Sequence, residues 1–281
     1  MRPPAWARLT GTWLLYVATA LPGAPAKAAE VRIHTWTYDY EDVVLWHLRS
    51  SFMHHAVAAV DWFAAAIHGE PGWTPAFSEL QAQYMTATFA EFEYVFMVDG
   101  KEHTRTYYAK SGADAPRVDA AEGRGPPFGL FLRTAPTETH AMVLPSDASR
   151  LTWTALDDGR PPDARRNDAE LKAVRSIERD MQIRRVPRGG EVVAFVSQAM
   201  CASCERAVRM FSAQYDIDVT INVLGGPESW ASNRFLRRRR AFFQAAMTSL
   251  PPVKPGGGGP GPTPPPPGAP AWCPAPGRVQ R

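Results

Sequence analysis

The sequence predicts an α/β fold, with a central mixed sheet flanked by helices. Three observations lead there. Segments of helical periodicity alternate with short apolar runs of strand length. An Asp99-Gly100 pair between two such runs reads as a tight β-hairpin. The resulting order is helix, hairpin, long insertion, helix, strand, helix, strand, helix, and one sheet with helices on its faces satisfies it economically.

Each element has its own signal. Residues 31–40, VRIHTWTYDY, alternate weakly and suit a strand or an extended arm. From Glu41 to Ile67, Leu45, Leu48, Phe52, Ala56, Ala59, Phe63 and Ile67 recur at three- and four-residue spacing. Gly69 and Pro71 then stop the helix. The hairpin joins FEYVFMV, from Phe92, to HTRTYYA, from His103. Residues 113–166 are rich in Pro, Gly and Asp and read as a loop-rich insertion with one or two short strands. Asn167 or Asp168 caps a helix whose buried stripe is Leu171, Val174, Ile177 and Met181. Val192–Val196 is a buried strand, Cys204–Tyr215 a helix, Ile217–Leu224 a strand and Trp230–Leu250 a last helix. The Pro/Gly-rich tail, 251–281, cannot bury a core and reads as disordered.

Composition bounds the function. The chain has 281 residues, 45% of them hydrophobic, enough for one sizeable domain plus tails or for two small domains. A net charge of +3 does not by itself imply a nucleic-acid partner, and three cysteines do not make a disulfide scaffold. Residues 1–28 carry Arg2 and Arg8, an apolar run from Leu9 to Leu21 and an Ala26-Lys27-Ala28 cleavage pattern. They read as a signal peptide, so the expected location is secreted or periplasmic. That run is too short for a comfortable membrane span, so stable membrane insertion is not expected.

The chemistry centres on QAMCASCERAVRMF, residues 198–211. Cys201 and Cys204 form a C-x-x-C between an apolar strand and a helix. Such a pair suits a redox couple, a structural disulfide or half of a zinc site. A thioredoxin-like thiol-disulfide protein needs two more strands after Val223, and only one predicted helix precedes the tail. Upstream, Asp168 and Glu170 sit one residue apart at a helix start, an arrangement that alone is ordinary capping. Two thiolates and one further ligand hold zinc and leave a fourth position for water, while a nearby glutamate can move protons.

NDAELKAV, followed by GGEVVAFVSQAMCASCERAVRMFSAQYDIDVTINV, resembles the zinc-dependent nucleic-acid and nucleotide deaminase superfamily, above all the deaminase domains of bacterial toxins. The hairpin EYVFMVDGKEHTRTYYAKSG, ending in Ser111-Gly112, is similar to that group's first two strands. The resemblance implies a cytidine deaminase-like three-layer sandwich over residues 41–250. It implies Asp168, Cys201 and Cys204 as zinc ligands and Glu170 as the catalytic proton shuttle. It also implies hydrolytic deamination of a nucleobase, cytosine favoured, in nucleic acid or a nucleotide. A secreted or delivered toxin with an immunity protein as partner is the matching setting, and delivery would bring an exported chain to an intracellular target. Two departures stand out. Asp168 replaces the usual His or Cys, and Met200 replaces the proline before the first cysteine.

Other residues are candidates for substrate contact. Arg234 and Arg237 to Arg240 place five arginines in seven residues, either as a solvated helix face or as phosphate contacts, with Arg237 and Arg238 foremost. Tyr107, Tyr108 and Phe128 could stack on a base or pack internally. Ser111 ends the hairpin near the expected site. His54 and His55 read as surface or satisfied core residues.

Overall fold

The computed structural model describes residues 29–36, 41–67, 73–121, 125–145, 148–151 and 165–250. The expected signal peptide, the Pro/Gly-rich tail and residues 152–164 of the insertion lie outside the described residues. The elements are β1 (Val31–Trp36), α1 (Glu41–Ile67), α2 (Trp73–Thr86), β2 (Phe89–Val98), β3 (Lys101–Lys110), β4 (Glu138–Ala141), α3 (Ala169–Gln182), β5 (Glu191–Val196), α4 (Ala202–Tyr215), β6 (Asp218–Leu224) and α5 (Trp230–Ser249). Two short 3-10 turns, Asp119–Ala121 and Phe128–Phe131, lie in the insertion.

Six strands form one mixed sheet in the order β1-β6-β5-β2-β3-β4. β1, β6 and β5 run parallel, β5 pairs antiparallel with β2, β2 with β3 antiparallel, and β4 joins β3 in parallel. The fold is α/β with helices on both faces of the sheet, as the sequence predicts. The 31–36 stretch is a strand rather than an arm, so the sheet begins ahead of the expected start at residue 41. The hairpin turn is built as expected, with Asp99 at φ 50° and Gly100 at φ 73°, the conformation that an Asp-Gly pair favours.

β2 sorts the layers by simple alternation. Phe89 and Glu91 face α1, while Ala90, Phe92 and Tyr94 face α3 and α4. The first layer is α1, α2 and α5, packed through Phe52, Phe63, Phe77, Tyr84, Phe235 and Phe243. The second is α3 and α4, packed through Leu171, Val174, Ile177, Val208 and Phe211. α2 is an element the sequence reading omits. Its buried Phe77, Leu80 and Tyr84 keep helical spacing, and Pro75 sits in its first turn, where its missing N–H costs nothing.

α3 is buried on nearly every side, not along one stripe. The insertion wraps its outer face. Arg175 donates to the carbonyls of Leu144 and Pro145, and Glu178 accepts from Ser149 Oγ, the Arg150 N–H and Tyr215 Oη. Buried charges survive here because each meets hydrogen-bonding partners.

The arginine run divides by helix face. Arg239 is buried, donates to the carbonyls of Tyr84 and Ala87 at 3.1 Å each, and lies over the rings of Phe89 and Phe235. It is a tie between α5 and the end of α2, not a phosphate contact. Arg237 and Arg240 are exposed. Removing Arg239 strips charge-assisted bonds from two carbonyls and leaves a void. Arg239→Ala is expected to cost about 3 kcal/mol in urea unfolding. Arg237→Ala should stay within about 0.5 kcal/mol of the parent.

Candidate metal centre

Two helix N-termini meet beyond the end of β5. Asp168 occupies the cap position of α3, and its carbonyl accepts the Lys172 N–H at 3.1 Å. Its side chain makes no capping hydrogen bond. The carboxylate instead points at the cysteines, with Oδ2 3.4 Å from Cys204 Sγ and 3.8 Å from Cys201 Sγ. Cys201 caps α4, its sulfur accepting the Cys204 N–H at 3.3 Å, and the two sulfurs stand 3.0 Å apart. Both thiols are free. The positive ends of the two helix dipoles suit three anionic groups.

This donor set fits zinc. A tetrahedral ion with sulfur at about 2.3 Å and a carboxylate oxygen at about 2.1 Å sets sulfur and oxygen about 3.6 Å apart and the two sulfurs about 3.8 Å apart. The sulfur–oxygen distances already bracket that value, and the sulfurs need to part slightly. Asp168, Cys201 and Cys204 form a possible metal-ligand group, while the identity of the ion rests on ligand chemistry. Arg165 donates to the same Asp168 Oδ2 at 3.3 Å.

Glu170 sits one residue beyond Asp168, in the first turn of α3. It is 5% exposed and lies close to the Cys204 thiol. Burial pushes its carboxyl up to about 7, with Asp168 and Cys201 adding to the rise. Contact with the neighbouring thiol pulls Cys201 down to about 5, and the same contact with burial drives Cys204 up.

The other candidates scatter. Ser111 lies at the rim. Its hydroxyl accepts the Thr88 N–H, and the next residue, Gly112, donates to the carbonyl of Asn167 just before Asp168. Tyr107 does not line the site. It is fully buried, and its hydroxyl donates to Asp180, ten residues along α3 from Glu170 and so about 15 Å away. Tyr108 stacks on His54 and Phe128 packs edge-on against Trp62, so both are packing residues. His55 is a satisfied core residue, with Nδ1 donating to the Ser51 carbonyl. Arg237 and Arg238 belong to α5, in the helix layer across the sheet from Asp168.

Sequence reasoning missed Lys172. Its buried ammonium donates to the carbonyls of Lys110 and Gly112 at 2.9 and 2.7 Å and to Asp114 at 2.7 Å. It thereby ties the Ser111-Gly112 turn to the helix that carries Glu170. No periodic signal marks it, because a lysine four residues past a cap ordinarily faces water.

No family model, curated protein or solved structure matches this chain. The centre can be tested directly on a Cys273→Ser background, which leaves two thiols. Zinc is expected to shield Cys201 and Cys204 from iodoacetamide, and a chelator to expose both. Asp168→Ala should speed labelling at saturating label about tenfold or more. Equal labelling with and without zinc would exclude ligation.

Proposed function

We propose that the chain is a zinc-dependent hydrolytic deaminase of a nucleobase, cytosine favoured, acting on nucleic acid or a nucleotide. The observation that carries this reading is the convergence of Asp168, Cys201 and Cys204 within 3.0 to 3.8 Å beside the buried carboxyl of Glu170. The six-stranded sheet between two helix layers is compatible with the cytidine deaminase-like sandwich. Asp168, Cys201 and Cys204 would hold the ion, and zinc when bound supplies the acidity that makes water a nucleophile near neutral pH.

Glu170 does the proton work. It accepts a proton as water adds to C4 of the ring, and it returns that proton to the exocyclic amine. The C–N bond breaks, ammonia leaves and a carbonyl remains, so cytosine and water give uracil and ammonia. Its place beside the ligand set, in the first turn of α3, suits a group that must take and give a proton in one cycle. Burial keeps it next to the sulfurs and away from bulk water. Delivery into another cell, with an immunity protein guarding the producer, reconciles an export-like N-terminus with an intracellular substrate.

A second reading is a thiol-disulfide protein using the same cysteines. It draws on the lowered Cys201 thiol and its free neighbour. Against it, α5 is the only described element after β6.

One assay separates the two. The zinc-loaded protein is incubated with single-stranded DNA, RNA and free nucleosides, and uracil and inosine are quantified. Uracil should accumulate, and Glu170→Gln should lower its rate at least about a thousandfold while zinc content stays unchanged. Full activity in Glu170→Gln, or thiol exchange with no base product, would overturn the deaminase reading.

A further inference from the structure

His47, Glu91 and Glu93 form a second cluster of ligand groups, on the α1 face of the sheet, across from Asp168 and the cysteines. Glu91 and Glu93 stand two residues apart on β2 and therefore share a face. α1 lays His47 over them. One donor atom from each residue lies within 4.8 Å of the others. His47 Nδ1 is 2.7 Å from Glu91 Oε1 and 4.0 Å from Glu93 Oε1. Nitrogen and oxygen ligands at about 2.1 Å from a first-row ion stand about 3.0 to 3.4 Å apart. The observed spacings bracket that range.

Three further observations point to a ligand. The Glu91 side chain is 3% exposed, yet its Oε2 has no hydrogen-bond partner. Among the described residues no lysine or arginine pairs with Glu91 or Glu93, and Glu138 adds a third negative group nearby. The imidazole is held before any ligand arrives. It stacks on Phe195 with centroids 3.7 Å apart and planes at 4°, and Trp46 meets it edge-on at 4.8 Å. A locked ring beside an orphaned buried carboxylate oxygen is a prepared ligand set. Glu93, at 28% exposure, leaves a way in from solvent.

We propose that His47, Glu91 and Glu93 bind one divalent transition-metal ion of the zinc class through nitrogen and oxygen alone. The ion would take the place of the His47 Nδ1–Glu91 Oε1 hydrogen bond, offset the charge of the acidic pair and cross-link α1 to β2. The site is independent of the proposed deaminase chemistry and lies on the opposite face of the sheet.

Cobalt(II) reads the two sites separately. Full-length protein is stripped with a chelator and titrated with Co²⁺, then with competing Zn²⁺. Cobalt on Cys201 and Cys204 gives a thiolate charge-transfer band, whereas cobalt on His47, Glu91 and Glu93 gives only weak d–d absorption. The Cys201→Ser/Cys204→Ser protein should lose the charge-transfer band and still bind one equivalent. Glu93→Gln on that background should weaken binding at least tenfold, and His47→Gln should abolish it. Glu93 is partly exposed, so Glu93→Gln decides the matter if His47→Gln fails to fold. Absence of cobalt binding in the double cysteine variant, or affinity unchanged by Glu93→Gln, overturns the proposal. Loss of the charge-transfer band from the parent protein bears instead on the Asp168 centre.

Discussion

The antiparallel pairing of β2 with β5 is the contact on which the rest of the structure depends. It joins the hairpin to the β5-α4-β6 unit and sets the boundary between the two helix layers. The ladder runs from Val95 against Glu191 to Ala90 against Val196. It is extended by the Ser197 N–H donating to the Phe89 carbonyl and by Ser197 Oγ accepting the Phe89 N–H. A one-residue slip would exchange the faces of every side chain on β2. Glu91 would leave His47, and Phe92 would leave the α3 layer. Gly190 helps hold the register at the other end. Any Cβ there would collide with the Val95 carbonyl and the Tyr94 ring, so only glycine admits β5 so close to β2.

The centre between α3 and α4 inherits its geometry from this frame. Cys201 follows the end of β5 closely, and Asp168 is brought to it by the packing of α3 on the same sheet face. The charged groups around it are divided between work and support. Glu170 and Asp168 face the sulfurs. Lys172, two residues further along, turns to the Ser111-Gly112 rim. Arg175 and Glu178, beyond it, hold the insertion. A single helix thus carries the ligand, the carboxyl beside it and the anchors of the loops around them.

Much of this was legible in the sequence. Helix α1 follows its apolar spacing to the residue at both ends, and the Asp99-Gly100 turn forms where the dipeptide predicts it. The order of Asp168, Glu170, Cys201 and Cys204 pointed to a cluster, and Asp168, Cys201 and Cys204 do meet as a possible metal-ligand group. What escaped depends on tertiary context. Whether Asp168 caps its helix or turns to the sulfurs is decided by α4, not by local sequence. Arg239 belongs to a run of like charges, and only the helix's rotation against Phe89 singles it out for burial. The burial of Arg175 and Glu178 needs the insertion, whose composition carries no periodic signal. Tyr107 and Tyr108 are neighbours on one strand, so alternation sends them to opposite cores.

β1 carries a consequence for how this chain must fold. The first strand among the described residues finishes the sheet by docking in parallel on β6, and the Glu30 N–H meets Asp218 across 188 residues of sequence. Contacts this distant pay a large loop-closure cost before they return any stabilisation. During synthesis the N-terminal segment has no partner until β6 has been made. Until then the edges of β1 and β5 that β6 covers have no strand partner, and open edges invite pairing with other chains. The sheet should therefore assemble outward from the β2-β3 hairpin, with β1 arriving last.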